Sequence, residues 1–333
     1  AGILDIKTNI LPNADALFLI AIDPYGHELW RWTFPVNKLN QQTEQLSPLS
    51  SRPIYTETEN ELTVKANKRT FIFSKKDGQL KGVSVDNRKI SFANGPRFIG
   101  ARRADRSLDQ FYNHDDEKAK EKDRTYSEFP DAAVFTKLDV KEDGGNLVVT
   151  ANYKLGNLDK AQWTINPSGE LALDYTYNFS GVVDLMGIRF DYPEDQVISK
   201  RWLGAGPYRV WQNRIHGTQY DVWENDYNDP IPGETFTYPE FKGYFGDVSW
   251  MNIQTKEGTI SLTNEAPDAY IGVYQPRDGR DRLLYTLPES GISVLNVIPP
   301  VRNKVNSTDL CGPSSQPKWV NGPQTGRVIF RFM

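Results

Sequence analysis

Between Glu170 and Phe179 the chain alternates strictly, with Leu171, Leu173, Tyr175, Tyr177 and Phe179 on one side of an extended backbone. A period of two is the signature of a strand with one buried face, because successive side chains point to opposite sides of a sheet. Strand-length apolar or alternating runs recur at Leu62–Ala66, Thr70–Ser74, Leu80–Val85, Leu147–Leu155, Ala161–Ile165, Thr259–Thr263, Ala269–Tyr274, Ile292–Val297 and Arg327–Met333. Turn residues separate several of them: Lys76-Asp77-Gly78, Asp86-Asn87 and Asn166-Pro167-Ser168-Gly169. No long stretch carries the 3.6-residue period of an amphipathic helix. Many short strands with Gly, Pro and Asn turns predict an all-β, large antiparallel sandwich over residues 61–333. With 38% hydrophobic and 12% aromatic residues, much of its core must be aromatic.

Ahead of this domain, residues 1–40 read as a small β unit. Its strands are Ala16–Ile22 and Glu28–Phe34, joined by a turn at Pro24-Tyr25-Gly26-His27. A two-stranded hairpin is marginal alone, so its apolar face calls for the next domain or further strands. Residues 41–60 belong to a Gln-, Ser-, Thr- and Pro-rich stretch without periodicity and read as a linker. In Asp115–Arg124, DDEKAKEKDR, nine of ten residues are charged with both signs mixed, the composition of a solvated surface loop.

A net charge of −4 provides no basic field for nucleic acid, and no apolar run approaches the ~18 residues of a membrane span. The single Cys311 excludes an internal disulfide and a cysteine zinc site. Gly204-Ala205-Gly206 lacks the third glycine of a dinucleotide loop and is followed by Pro207, which has no amide to offer a phosphate. Phosphate loops, HExxH and GxSxG are absent from the sequence. No cofactor or metal is expected.

The chemistry-bearing residues concentrate in Trp202–Trp223, WLGAGPYRVWQNRIHGTQYDVW. Tyr208, Arg209, Trp211, Arg214 and His216 are the types a carbohydrate surface uses, since sugar faces stack on rings and hydroxyls take planar hydrogen-bond partners. They are equally the types that fill a sandwich corner. Arg97, Arg102 and Arg103, following a strand, could hold a sugar or pair with local acids. A sugar epimerase would set His114 or His216 across a pocket from a carboxylate such as Asp221, Glu224, Asp226, Glu234 or Glu240. The loop-like segment 226–250 is a place for binding, or for close contact with its own or a neighbouring domain.

These blocks stand in a distinctive order. RTFIFSKKDGQLKGVSVDNRKI, GPRFIGARRAD, Trp202–Pro207 with Asn213-Arg214, and Gly326-Arg327-Val328-Ile329-Phe330 resemble the last domain of β-galactosidase-type family 2 glycoside hydrolases. GHELWRW resembles the final strand of the immunoglobulin-like domain that precedes it. The resemblance implies a galactose mutarotase-like supersandwich preceded by a partial immunoglobulin-like unit. It also implies a catalytic (β/α)₈ barrel as partner, carrying two glutamates for a retaining displacement. No alternating β/α pattern of barrel length occurs here.

The expected function is therefore a non-catalytic, carbohydrate-associated module packing on that barrel and shaping its substrate entrance. The alternative is an independent sugar-binding domain or a mutarotase-type epimerase. A tryptophan that family members send from this domain into the sugar site is matched by Val294, within Gly291–Asn296, so that contact does not carry over. Trp319 is a substitute candidate. A parent enzyme acting on galactosides or polysaccharide side chains would favour a periplasmic or secreted location.

Overall fold

The computed structural model describes residues 3, 14–36, 51–103, 126–229, 241–266, 268–274, 287–301 and 312–333. Among these the architecture is all-β, as the alternation requires; the helical turns are three-residue 3-10 segments, Glu194–Gln196 and Pro313–Ser315. The charged stretch 115–124, His114, Glu234, Glu240 and Cys311 lie outside the described residues.

Three sheets form. The smallest is an antiparallel hairpin of β1 (Ala16–Ile22) and β2 (Glu28–Pro35). A ten-stranded sheet contains β3 (Ile54–Glu57), β4 (Glu61–Ala66), β5 (Arg69–Ser74), β6 (Leu80–Val85), β7 (Arg88–Ile90), β8 (Ala93–Arg103), β9 (Tyr126–Glu128), β14 (Leu185–Asp191), β19 (Tyr270–Gly272) and β20 (Ile292–Val297). The third has nine strands: β10 (Val134–Asp143), β11 (Asn146–Lys154), β12 (Leu158–Ile165), β13 (Leu171–Val183), β15 (Val197–Gly206), β16 (Gln219–Asp226), β17 (Trp250–Thr255), β18 (Gly258–Asn264) and β21 (Lys318–Phe332). Its order, β10-β11-β12-β13-β21-β18-β17-β15-β16, places the C-terminal strand at its centre.

The two large sheets enclose a core in which rings meet rings. Phe92 stacks on Phe190 at 4.7 Å and meets Phe330 at 5.0 Å and Phe332 at 5.3 Å. Trp163, fully buried, meets Phe73 at 5.9 Å and Phe190 at 6.0 Å. The alternating face of β13 turns into this core, as expected from its period.

A second, smaller core lies apart from the first. Ile99 and Ala101 of β8, Leu185 of β14 and Leu295 of β20 are covered there by Val210, Trp211, Tyr244, Leu287, Ile298 and Val301. Its consequence is that β8, β14 and β20 bury both faces. Val294 sits with no exposure inside β20, so it cannot project toward a neighbouring domain. Two boundaries also differ from the sequence reading. β3 lies within the supposed linker and pairs with β4, and Arg97, Arg102 and Arg103 sit on β8 rather than after a strand.

Gly326 on β21 shows how tightly the centre is fitted. A Cβ there would stand 2.3 Å from the Tyr175 hydroxyl, which is buried without a hydrogen-bond partner among the described residues. Gly326→Ala is expected to cost about 1–3 kcal/mol through overpacking, measured as a shift in the urea midpoint.

Candidate functional site

β15 runs through the aromatic stretch and ends at Gly206, where Pro207 cannot continue the ladder. Gly206 has no side chain because the Trp223 ring of β16 occupies its space: an added Cβ would come within 2.4 Å of it. The Trp223 indole N–H donates to Gly204 O at 3.2 Å and Gln219 O at 3.1 Å. Beyond Pro207 the chain enters the second core. Val210 and Tyr244 exchange backbone hydrogen bonds there, and Trp211 meets Tyr244 edge-on at 5.9 Å.

Two amides fasten this corner. Asn213 Nδ2 donates to Val301 O at 2.7 Å and Ser315 Oγ at 3.0 Å, while its Oδ1 accepts from Val301 N at 2.9 Å. Gln212 Nε2 donates to Ser314 O and Gln316 O, both at 2.8 Å. Both ends of an amide are required for the first bracket, which is work an aspartate could not do. Tyr208 closes the loop by donating to His216 O at 3.1 Å, and Phe241 lies edge-on to it at 5.1 Å.

The most unusual electrostatics lie beneath. Lys200 of β15 and Arg209 are 1% and 2% exposed, and both rest on the Tyr274 ring, at 4.9 Å and 5.2 Å from its centroid. Arg209 Nη2 donates to Asn228 Oδ1 at 2.9 Å, whereas its Nε and Nη1 have no hydrogen-bond partner among the described residues. Lys200 donates to the carbonyls of Asp226 and Asp229. Glu194 touches the same group, accepting from Tyr227 Oη at 2.9 Å and Asn228 Nδ2 at 3.4 Å. Burial, followed by the neighbouring guanidinium, pushes the Lys200 ammonium down to about 6, and burial lowers Arg209 to about 10. The folded chain therefore protonates Lys200 less readily than the unfolded chain does, and the amine donates to carbonyls beside the guanidinium.

The arginines of β8 form another network. Arg97 and Arg189 face each other across β8 and β14. Arg97 pairs with Asp191, which also accepts from Asn94 Nδ2 at 2.8 Å, and Arg189 pairs with Glu128 at 4.0 Å. Burial raises the Asp131 carboxyl nearby, although both arginines oppose the shift. Arg103 is 1% exposed, with its backbone N–H donating to the fully buried Asp184 at 3.0 Å.

The predicted site residues thus divide. Arg103, Arg209 and Trp211 are interior, where folding needs them and solvent does not reach, so a surface role for them is corrected. Arg97 is half-buried and ion-paired. Arg102, Arg214, His216 and Trp319 are exposed, and Tyr208, bonded to His216, is half-buried. Arg214 lies over the Phe241 ring at 5.8 Å. Of the acids considered with His216, Asp221 lies 3.8 Å from Arg31 and Glu224 lies 3.9 Å from Arg201. The sequence reading missed Lys200, Asn228 and Tyr274. Nothing local marks them, because their meeting is long-range. Among the described residues, no group of three or more His, Cys, Asp or Glu side chains could hold a metal.

A family model for the beta galactosidase small chain matches residues 65–299, which include both arginine networks and the corner from Trp202 to Trp223. The chain belongs to the β-galactosidase small chain family. No curated protein matches it. Among solved structures, the galactose 1-epimerase of Lactobacillus acidophilus NCFM is similar over 85% of this chain and 99% of its own, at 10% identity and a TM-score of 0.45. A GalM/aldose epimerase homologue from C. elegans is similar over 85% and 99%, at 7% identity and a TM-score of 0.37. Within this small chain, the corner is a rigid, internally bonded element whose exposed chemistry is confined to its rim.

The Lys200 shift has a definite sign. Between pH 6 and the ordinary lysine value of 10.5, the unfolded chain binds a proton that the folded chain does not. Stability should therefore rise with pH over that window, by up to about 1.4 kcal/mol per unit from this group. Lys200→Met should flatten the rise, seen in urea midpoints at pH 6.5, 7.5 and 9.

Proposed function

We propose that this small chain is a non-catalytic module of a family 2, β-galactosidase-type glycoside hydrolase. It packs on the catalytic barrel and shapes the entrance through which a galactoside or polysaccharide side chain reaches it. Family membership supports the enzyme class. The observation that carries the packing role is the hairpin of β1 and β2.

Cross-strand pairs Leu17–Phe34, Leu19–Trp32 and Ala21–Trp30 gather six apolar side chains on one face. Trp30, Trp32 and Phe34 are 50%, 44% and 49% exposed there. On the other face Arg31 stacks on Phe18 at 5.4 Å, pairs with Glu28 at 3.0 Å and approaches Asp221 of β16. Asp15 accepts from the Trp250 indole at 3.2 Å, and burial raises its carboxyl. The hairpin thus touches the sandwich through Arg31 and Asp15, while Trp30, Trp32 and Phe34 present a contiguous aromatic surface of the kind that marks protein–protein contact.

Arg102, Tyr208, Arg214 and His216 serve, in this reading, as the rim of the entrance. Coexpression with a β-galactosidase catalytic chain from the same source should give a complex that survives gel filtration. Trp30→Ser with Trp32→Ser should weaken the complex by about tenfold or more while leaving the melting of the sandwich unchanged. The chain alone should not hydrolyse a nitrophenyl β-galactoside; measurable turnover would overturn the non-catalytic role.

A further inference from the structure

The solvent face of the nine-stranded sheet carries a feature that this role does not use. β13 and β21 pair without a register break from Leu171–Phe330 to Val183–Lys318. Their outward side chains therefore face each other in a ladder: Asp174–Arg327, Thr176–Thr325, Asn178–Pro323, Ser180–Asn321 and Val182–Trp319. One end of the ladder opens into a depression of about 340 Å³, lined also by Lys160, Gln162 and Glu265. That volume lies at the lower bound of small-ligand sites. The other end carries Trp319, 70% exposed and six positions from Thr325, roughly 20 Å away along the strand.

We propose that this face is a binding track for a neutral oligosaccharide, with one sugar unit in the depression and another stacked on Trp319. The charges decide the ligand class. Arg327 donates to Asp174 at 2.7 Å and pairs with Glu265 at 3.1 Å, so with Lys160 the depression holds two cations and two carboxylates. A site balanced in this way favours neither an anion nor a cation.

What remains available is hydrogen bonding of both senses. The Gln162 amide and the Thr176 and Thr325 hydroxyls stand beside the outer atoms of the ion-paired groups, and together they suit vicinal hydroxyls. Trp319 adds the apolar ring face that a sugar's C–H surface covers. The intervening Thr, Asn and Ser positions keep the track polar, with Ser180 Oγ donating to Asn321 Oδ1 at 3.0 Å. The span suits a short chain rather than a single sugar.

The test is calorimetry on the full chain with β-1,4-galactotetraose and cellotetraose as neutral probes, and tetragalacturonate as the charged control. At least one neutral tetrasaccharide should bind saturably, with amide shifts in β13 and β21 by NMR. Trp319→Ala and Gln162→Ala should each weaken binding by about tenfold without changing the melting temperature. Absence of saturable heat with both neutral probes, preference for tetragalacturonate, or affinity unchanged in both variants would overturn the track. No catalytic chain enters the titration, so the result stands apart from the proposed role beside a barrel.

Discussion

The structure depends on aromatic rings meeting between two large sheets. Phe92, Phe190, Phe330 and Phe332, joined through Trp163 to Phe73, draw four strands, β5, β12, β14 and β21, and the short link between β7 and β8 into one contact. Rings supply large buried area with few rotatable bonds, so each fixes its strand at modest entropic cost. The C-terminal strand β21 carries two of these rings and lies between β13 and β18. The last residues of the chain are consequently central to the core. Its outward positions inherit that rigidity, which is why a polar ladder there holds a fixed spacing.

Around this core the charged groups follow one logic. Where an arginine or lysine is buried, its partners are local and specific: Asn228 and a tyrosine face for Arg209, carbonyls and a lowered proton affinity for Lys200; the half-buried Arg97 pairs with Asp191. Such centres restrict which arrangement of the corner is acceptable, since any other gives up these hydrogen bonds and ring contacts while the groups stay buried. Asn213 works in the same way on Val301 and Ser315. The corner that looked most like a reaction site is thus built to hold its shape, with Arg209 and Trp211 turned inward and Arg214 and His216 left on its rim.

How much could be read in advance differs strand by strand. β13 was legible because one face meets the core and the other meets solvent, so polarity alternates along it. β14 was not, because Leu185, Met186 and Ile188 are all buried between two cores and its polarity does not alternate. The same double coverage hid β8 and turned its arginines into strand residues. Arg209 and Trp211 could not be assigned to surface or interior by residue type, because rings and guanidinium groups serve both purposes. The polar half of β13, Asp174, Thr176, Asn178 and Ser180, was in plain view, but its partners on β21 lie some 150 residues away and only the register joins them.

By itself the sequence determined the all-β class, most of the strands bordering solvent, the core face of β13 and the uncovered hairpin. These follow from local periodicity and turn chemistry, which short segments carry on their own. Tertiary structure decided which sheet each strand joins, that a second core covers β8, β14 and β20, that Lys200 and Arg209 share one tyrosine, and that Asp174 stands opposite Arg327. Each of these rests on residues distant in the chain, and their proximity is set by the joint fit of two sheets rather than by any segment's own preference.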